Sequence, residues 1–402
     1  MWNRPLRRLA SAVWALLKLL LIGGVVYLGS CSTARVILQT APDDLPRGYV
    51  TPSAPMLPAA QARALLESEI YGAVTAPSVV TVRDMSVSVA LDGRASLTQW
   101  RVEAGYGDAT RELTVALLLP NGVPDAPVIL TQNFCPNQAV LPVRGIWPSG
   151  DDGFCMGGGA MGAVMTFFFG RYIVTPPVED ILASGYGIAA TYPSEFVPDS
   201  ARAGEATLDA LSPNDPARPG ALAVWAGLHE LTADLVVSEH GERPFIAAGH
   251  SRFGKTALLA AAWFPQIDGA IAHQSGTLGA SRLTDSKGEP LEALAKSYPH
   301  WPNRRLQSYA SAPASLPVRP RDLLGLIGDK PVLLGNAKRD VWSDPFGAFV
   351  EADAAWVDFG AERPGDFQPD ARHAFWQRPG THGVNKEDWE AFLAWLDAQD
   401  WQ

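Results

Sequence analysis

Cysteine is scarce in this chain, with three in 402 residues. No Cys-x-x-Cys pair and no Cys/His cluster at zinc-ligand spacing occurs, so neither a disulfide scaffold nor a structural metal site is expected. Cys31 stands alone at the end of an apolar stretch. Cys135 and Cys155 remain, and two readings stay open: a disulfide outside the reducing cytoplasm, or two separate buried thiols. Charge is also sparse, at 18% of residues against about a quarter in an ordinary soluble domain. Lysine and arginine (32) fall short of aspartate and glutamate (42), a net −10. A nucleic-acid-binding domain should be basic, so that class is excluded. Internal repeats, low-complexity tracts and long runs of like charge are missing.

What is abundant is apolar: 47% of the chain is hydrophobic, enough for a large buried core and too much for disorder over most of its length. Glycine (37) and proline (33) make up about one residue in six, which fits many turns and excludes a coiled coil or helical bundle throughout. The length alone allows two or three domains, or one large α/β domain with an accessory segment.

The N-terminus is basic, Met1-Trp-Asn-Arg-Pro-Leu-Arg-Arg, and leads into an apolar run ending at Leu28. The run over 19–27 is too short to span a bilayer, and extending it back to Leu9 puts Lys18 mid-span. Leu28-Gly29-Ser30-Cys31 resembles a bacterial lipobox, which makes Cys31 a candidate lipidation site. An uncleaved anchor and plain secretion are the alternatives, and all three send the rest of the chain out of the cytoplasm. Prolines at 42, 46, 52, 55 and 58 mark an extended tether. The organisation read from this is a signal or anchor over 1–31, a tether over 32–58 and a catalytic domain over 59–402, touching membrane through the N-terminus only.

After a helix expected over 59–70, residues 80–91, 96–103 and 112–119 alternate partly and are separated by Asp92-Gly93 and by residues 105–108, as in antiparallel hairpins. From Pro127 onward short, almost wholly apolar runs at 128–131, 187–191, 245–249, 269–272 and 332–334 alternate with helices expected at 221–237, 254–263, 290–296, 344–357 and 386–397. Continuous apolar runs mark strands buried on both faces. An antiparallel start feeding a mostly parallel sheet, with helices on both faces and one at the very end, is the order of an α/β-hydrolase.

The richest stretch is Phe245-Ile-Ala-Ala-Gly249-His250-Ser251-Arg252-Phe253-Gly254-Lys255-Thr256. Read from Gly249 it matches the phosphate loop G-x-x-x-x-G-K-[ST], with Lys255 on phosphate and Thr256 on magnesium. Read around Ser251 it is a strand-to-helix elbow that exposes a nucleophilic hydroxyl, although Phe253 stands where the second glycine of G-x-S-x-G belongs. No other strong strand ends directly in aspartate to hold magnesium, whereas Asp340 and His382 follow in the Ser…Asp…His order of a triad, each in a loop after a strand. The hydrolase is therefore favoured over a nucleotide-dependent ATPase. His373 is the rival base and reads better as a packed strand residue; Asp344 is the rival acid and reads better as a helix N-cap.

Together, Gly249-His-Ser-Arg-Phe-Gly-Lys255-Thr, Tyr298-Pro-His-Trp301, Asp340-Val-Trp342-Ser-Asp-Pro345 and Arg378-Pro-Gly-Thr-His382 resemble the glucuronoyl esterases, especially the bacterial branch, from about Ile173 to the C-terminus. The resemblance implies an α/β-hydrolase that cleaves esters of 4-O-methyl-D-glucuronic acid, the kind linking glucuronoxylan to lignin, with no metal or organic cofactor. It implies Ser251 as nucleophile, His382 as general base and acid, Asp340 as the orienting acid, and Arg252 as an oxyanion donor. Lys255, Glu289 and Trp342 match positions that contact the uronic-acid ring. The alternative is another carboxylic or acetyl ester of a carbohydrate with the same triad.

Some residues depart from the pattern. Fungal members carry a catalytic glutamate in Glu-Ser-Gly, where this chain has Gln274-Ser-Gly, so the acid role falls on Asp340. Fungal members also place cysteine before the serine, where His250 stands. Residues 150–169, with Gly157-Gly-Gly and Phe167-Phe-Phe, are unlike the family and read as a private wall or lid.

Overall fold

The computed structural model describes residues 13–14, 16–23, 56–107, 109–150, 155, 169–213, 215, 217–362 and 365–401. The chain divides into two units, 1–41 and 42–402. In the first, residues 13–14 and 16–23 are helical and their apolar side chains are exposed. Cys31, and with it the lipobox, lies outside the described residues, as does most of the tether.

The second unit is built on one nine-stranded sheet in the order β1-β2-β3-β5-β4-β6-β7-β8-β9. β1 (Ser78–Ala90), β2 (Ala95–Tyr106) and β3 (Ala109–Pro120) form an antiparallel meander. Asp92 and Gly93 turn the first hairpin at φ 55° and 87°, the positive values that such a turn demands. β3 pairs antiparallel with β5 (Gly187–Thr191). From there β4 (Val128–Gln132), β6 (Phe245–His250), β7 (Gly269–His273), β8 (Val332–Ala337) and β9 (His373–Arg378) run parallel.

The apolar runs are buried on both faces because successive side chains point to opposite sides. Leu130, Ala189, Phe245, Ala247, Ala270 and Leu334 enter one core, while Ile129, Ile188, Ile246, Ile271 and Leu333 enter the other. Nine α-helices of six or more residues cover the sheet among the described residues of this unit: α1 (Ala59–Leu66), α2 (Val178–Ala183), α3 (Ala201–Leu211), α4 (Ala221–His240), α5 (Arg252–Trp263), α6 (Leu291–Ser297), α7 (Pro320–Ile327), α8 (Pro345–Ala355) and α9 (Lys386–Ala398). α4 and α5 pack in the first core, α2 and α9 in the second. This is the α/β-hydrolase arrangement that the order of elements suggests.

α4 is the one described helix long and apolar enough to cross a membrane, and 78% of its apolar window is buried inside the fold. A helix that is hydrophobic all round belongs in a core or in lipid, and here the core claims it. On α9, Trp389, Phe392, Trp395 and Leu396 are buried, while Leu393 is only partly so.

Two of the boundaries that differ from expectation have a visible cause. The helix expected over 59–70 is α-helical only to Leu66 and continues as a π turn, Glu67–Tyr71, closed by Gly72 N–H to the Glu67 carbonyl at 2.8 Å. The amide of Asn303 takes the carbonyls of Glu67 and Ser68 at 3.1 and 2.9 Å, drawing them out of the α ladder. α8 begins at Pro345 because Asp344 caps it, accepting from Gly347 N–H at 3.0 Å. His373 is indeed a strand residue, stacked on Trp356 at 4.3 Å with Nε2 on the Gly328 carbonyl, and takes no part in the site below.

Candidate active site

The carboxyl ends of the parallel strands are where open α/β sheets place their ligands, and the candidate residues gather there. β6 ends at His250 and α5 begins at Arg252, leaving Ser251 alone in the turn with φ 58° and ψ −120°. A non-glycine residue held there is uncommon and persists only where its surroundings over-determine it. Ser251 N–H donates to the His273 carbonyl at 2.8 Å, and its own carbonyl receives Gly254 and Lys255 N–H at 3.0 and 3.3 Å. The side chain makes no capping bond to the helix, so the hydroxyl is not spent as an N-cap. Gly249 permits the close turn: a Cβ there would lie 2.3 Å from the Phe253 carbonyl carbon and oxygen.

On the loop after β8, Asp340 is buried and its two oxygens are fully engaged. Oδ1 accepts from Trp342 and Ser343 N–H at 2.9 and 3.2 Å; Oδ2 accepts from the Ser343 hydroxyl at 2.5 Å and from His382 Nδ1 at 2.7 Å. Burial alone would raise this carboxyl. The charge and hydrogen bond of His382, with the bonds from Ser343 and Trp342, outweigh it and hold Asp340 below the ordinary aspartate value. A carboxylate only accepts, so the bond fixes His382 with its proton on Nδ1 and leaves Nε2 free to accept one. Asp344 makes no such bond: it caps α8 and pairs with Arg282 Nε at 3.1 Å.

Gln274, at the position of the fungal glutamate, has a part of its own. Its Oε1 accepts from Gly383 N–H at 2.8 Å and its Nε2 donates to the Thr381 carbonyl at 3.3 Å, so one amide holds both neighbours of His382. Arg378 donates to the Gly383 carbonyl at 2.7 Å and to the buried Asp388 carboxylate at 2.7 Å, while His273 Nε2 contacts the same Gly383 carbonyl at 3.0 Å. The sequence reading did not find these braces.

Arg252 pairs with Asp199, and its guanidinium lies among the rings of Phe134, Tyr298 and Trp301. Lys255 is buried, and its ammonium donates to the Ser275 carbonyl. Burial pushes its pKa down to about 7, against the attraction of Glu289. Burial likewise raises Glu289, opposed by Lys255 and Arg252. The Glu289 backbone is tied to this region, its N–H on the Trp342 carbonyl at 3.0 Å. Trp342 is 47% exposed, edge-on to His382 at 5.2 Å between ring centres and stacked with Phe169. Most of the other described tryptophans are buried.

Lys255 supplies a pH test. Its folded pKa lies below its unfolded value near ~10.4, so between about pH 7 and 10 the unfolded chain binds the proton that the folded chain has released. Stability contributed by this group therefore rises with pH across that window. Thermal melts should show Lys255→Met gaining most over wild type at pH 6, with the difference narrowing by pH 10. A difference independent of pH would contradict burial as the cause.

The phosphate-loop alternative is not supported. Thr256 is fully buried, with its hydroxyl on Gln132 Oε1 at 2.7 Å and on the Phe253 carbonyl at 2.8 Å, so it is not presented to a magnesium ion. Cys135 and Cys155 form a disulfide. It joins the loop after β4 to residue 155; apart from Cys155 and Phe169, residues 151–169 lie outside the described residues. No group of three metal-ligating side chains occurs among the described residues.

No family model matches the chain. A curated protein, carbohydrate esterase MZ0003 from an unknown prokaryotic organism, is 25% identical over 360 residues, covering 83% of this chain and 82% of that one. A glucuronoyl esterase from Solibacter usitatus superposes with a TM-score of 0.67 at 27% identity, over 85% of this chain and 91% of that one. A promiscuous esterase of carbohydrate esterase family 15 from a marine bacterial metagenome gives 0.72 at 24% identity with the same coverage. Fold and likeness together define a serine esterase of the α/β-hydrolase superfamily. Over most of its length the chain is similar to these esterases.

Proposed function

We propose that Ser251, His382 and Asp340 form the triad of an esterase that cleaves esters of (4-O-methyl-)glucuronic acid, such as those joining lignin to glucuronoxylan. The observation that carries it is the 2.7 Å bond from His382 Nδ1 to buried Asp340, with the His382 ring packed 4.5 Å from that of His250, the residue before a serine held at positive φ. His382 Nε2 takes the Ser251 proton as Oγ bonds to the ester carbonyl carbon. Arg252 and the N-terminus of α5 stabilise the oxyanion. Collapse breaks the bond to the alcohol, which leaves with the proton from His382. Water then repeats the sequence on the acyl-enzyme and frees the uronic acid. Lys255, Glu289 and Trp342 contact the sugar ring. No step calls for a metal or organic cofactor.

The enzyme acts outside the cytoplasm, held there through Cys31 or an uncleaved anchor; the basic start, the apolar run and the Cys135–Cys155 disulfide support this. Cys31→Ser should abolish lipid mass gain and membrane retention. Retention without lipid would point to the uncleaved anchor.

Hydrolysis of benzyl 4-O-methyl-glucuronate, an aryl acetate and an acetylated xylo-oligosaccharide by the purified full chain tests the substrate class. Preference for the uronate ester is expected. An enzyme inert on it yet active on either acetate through Ser251 keeps the triad and loses the uronate assignment.

A further inference from the structure

Among the groups given roles above, Arg252 has a long side chain that has to stop in one place for its donors to meet a developing charge. An arginine left free samples many rotamers, whereas oxyanion stabilisation depends on donors already aimed where charge develops. The structure holds this guanidinium from two directions. Rings of Trp301, Phe134 and Tyr298 lie 4.9, 5.0 and 5.7 Å from its central carbon, and Asp199 Oδ2 takes its Nη1.

Asp199 sits on the loop between β5 and α3, and it is itself fixed. Its Oδ1 accepts from Trp301 Nε1 at 2.8 Å and from His300 Nε2 at 3.0 Å, which turns Oδ2 toward the arginine. Burial pushes the His300 pKa down to about 4, so near neutral pH the ring is an uncharged donor to Asp199 and does not compete with Arg252 as a second cation. Tyr298 stacks on Trp301 at 3.8 Å, tying the platform together. The segment Tyr298-Pro-His300-Trp301, which stands out in the sequence without a chemical task, thereby acquires one.

We propose that Asp199, fixed by His300 and Trp301, is the positioning residue for Arg252, holding its guanidinium in the pose from which it meets the developing oxyanion. The inference rests on the esterase reading and on Arg252 as oxyanion donor. The carboxylate of Asp199 is bonded to Arg252, His300 and Trp301, and in this proposal it acts through Arg252 alone.

The test is kcat and KM on benzyl 4-O-methyl-glucuronate for the full chain as wild type, Asp199→Asn, Arg252→Ala and the double variant, with a thermal melt of each. Asp199→Asn should lower kcat by ~10- to 100-fold, less than the ~100- to 1,000-fold expected for losing an oxyanion donor outright, with KM changing by less than about threefold. In the Arg252→Ala background the same change should have little further effect, because nothing remains to position. If Asp199→Asn fails to fold, Trp301→Phe keeps the ring and removes one donor to Asp199, and a fall in kcat confined to the Arg252 background is expected of it. Wild-type kcat in a folded Asp199→Asn beside an impaired Arg252→Ala overturns the positioning role alone. So does an equal loss in both backgrounds, which would mark Asp199 as merely structural. Full activity of Arg252→Ala would overturn the oxyanion role first, and the positioning role with it.

Discussion

Ser251→Ala should reduce kcat on a glucuronate ester by about 10⁶-fold, the scale seen when a triad nucleophile is removed. Labelling by a fluorophosphonate probe should vanish with it. The fold should survive, because the Ser251 side chain makes no capping bond to α5 and the turn is held by backbone bonds to His273, Gly254 and Lys255. Alanine meets the same positive φ as serine, so the strain is neither relieved nor increased. Product release followed by chromatography, with a thermal melt of each protein, separates chemistry from stability. Retained labelling in a folded Ser251→Ala would move the nucleophile elsewhere.

Asp340→Asn carries the second large effect, about 10⁴-fold in kcat, because an amide in that place favours the wrong histidine tautomer. Oδ2 now receives His382 Nδ1 and the Ser343 hydroxyl, and Oδ1 receives two backbone N–H groups. An asparagine keeps the shape yet turns a donor toward one of these donors. Stability should fall as well, with a definite sign. The folded pKa of Asp340 is depressed, so its contribution is present above the unfolded value near ~3.9 and is lost as pH falls through the folded one. Melts of the two proteins should therefore differ at pH 7 and converge in strong acid. Gln274 offers no substitute carboxylate, and its amide is committed to the backbone on either side of His382. An Asp340→Asn enzyme with near-native kcat would mean that another acid orients the histidine.

The parts of the molecule that could be read from the sequence share a physical cause. Strands such as 245–249 and 269–272 announce themselves because burial on both faces leaves no polar residue in the run. The elbow at Ser251 follows from a buried strand meeting a helix across glycines. Asp340 and His382 emerge from their order in the chain, and Asp344 is demoted by the proline that follows it. The braces were not legible, because they join residues distant in sequence. Gln274 holds Gly383 across 109 positions, and Asp199 reaches Trp301 across 102; no periodicity or local spacing marks such a pair. Ser343 is the exception. An aspartate followed by serine three residues later is a local pattern, and it places a hydroxyl on the Asp340 carboxylate. The π turn after Leu66 was hidden for the same long-range reason, since Asn303 lies about 235 residues away.

The measurement that bears most directly on the proposed chemistry is the mass of the enzyme quenched in acid during turnover of benzyl 4-O-methyl-glucuronate, followed by peptide mapping. A 4-O-methyl-glucuronoyl adduct on the peptide bearing Ser251, absent in Ser251→Ala, is the expected result. An adduct on another residue, or steady hydrolysis by Ser251→Ala with no adduct, would contradict the triad.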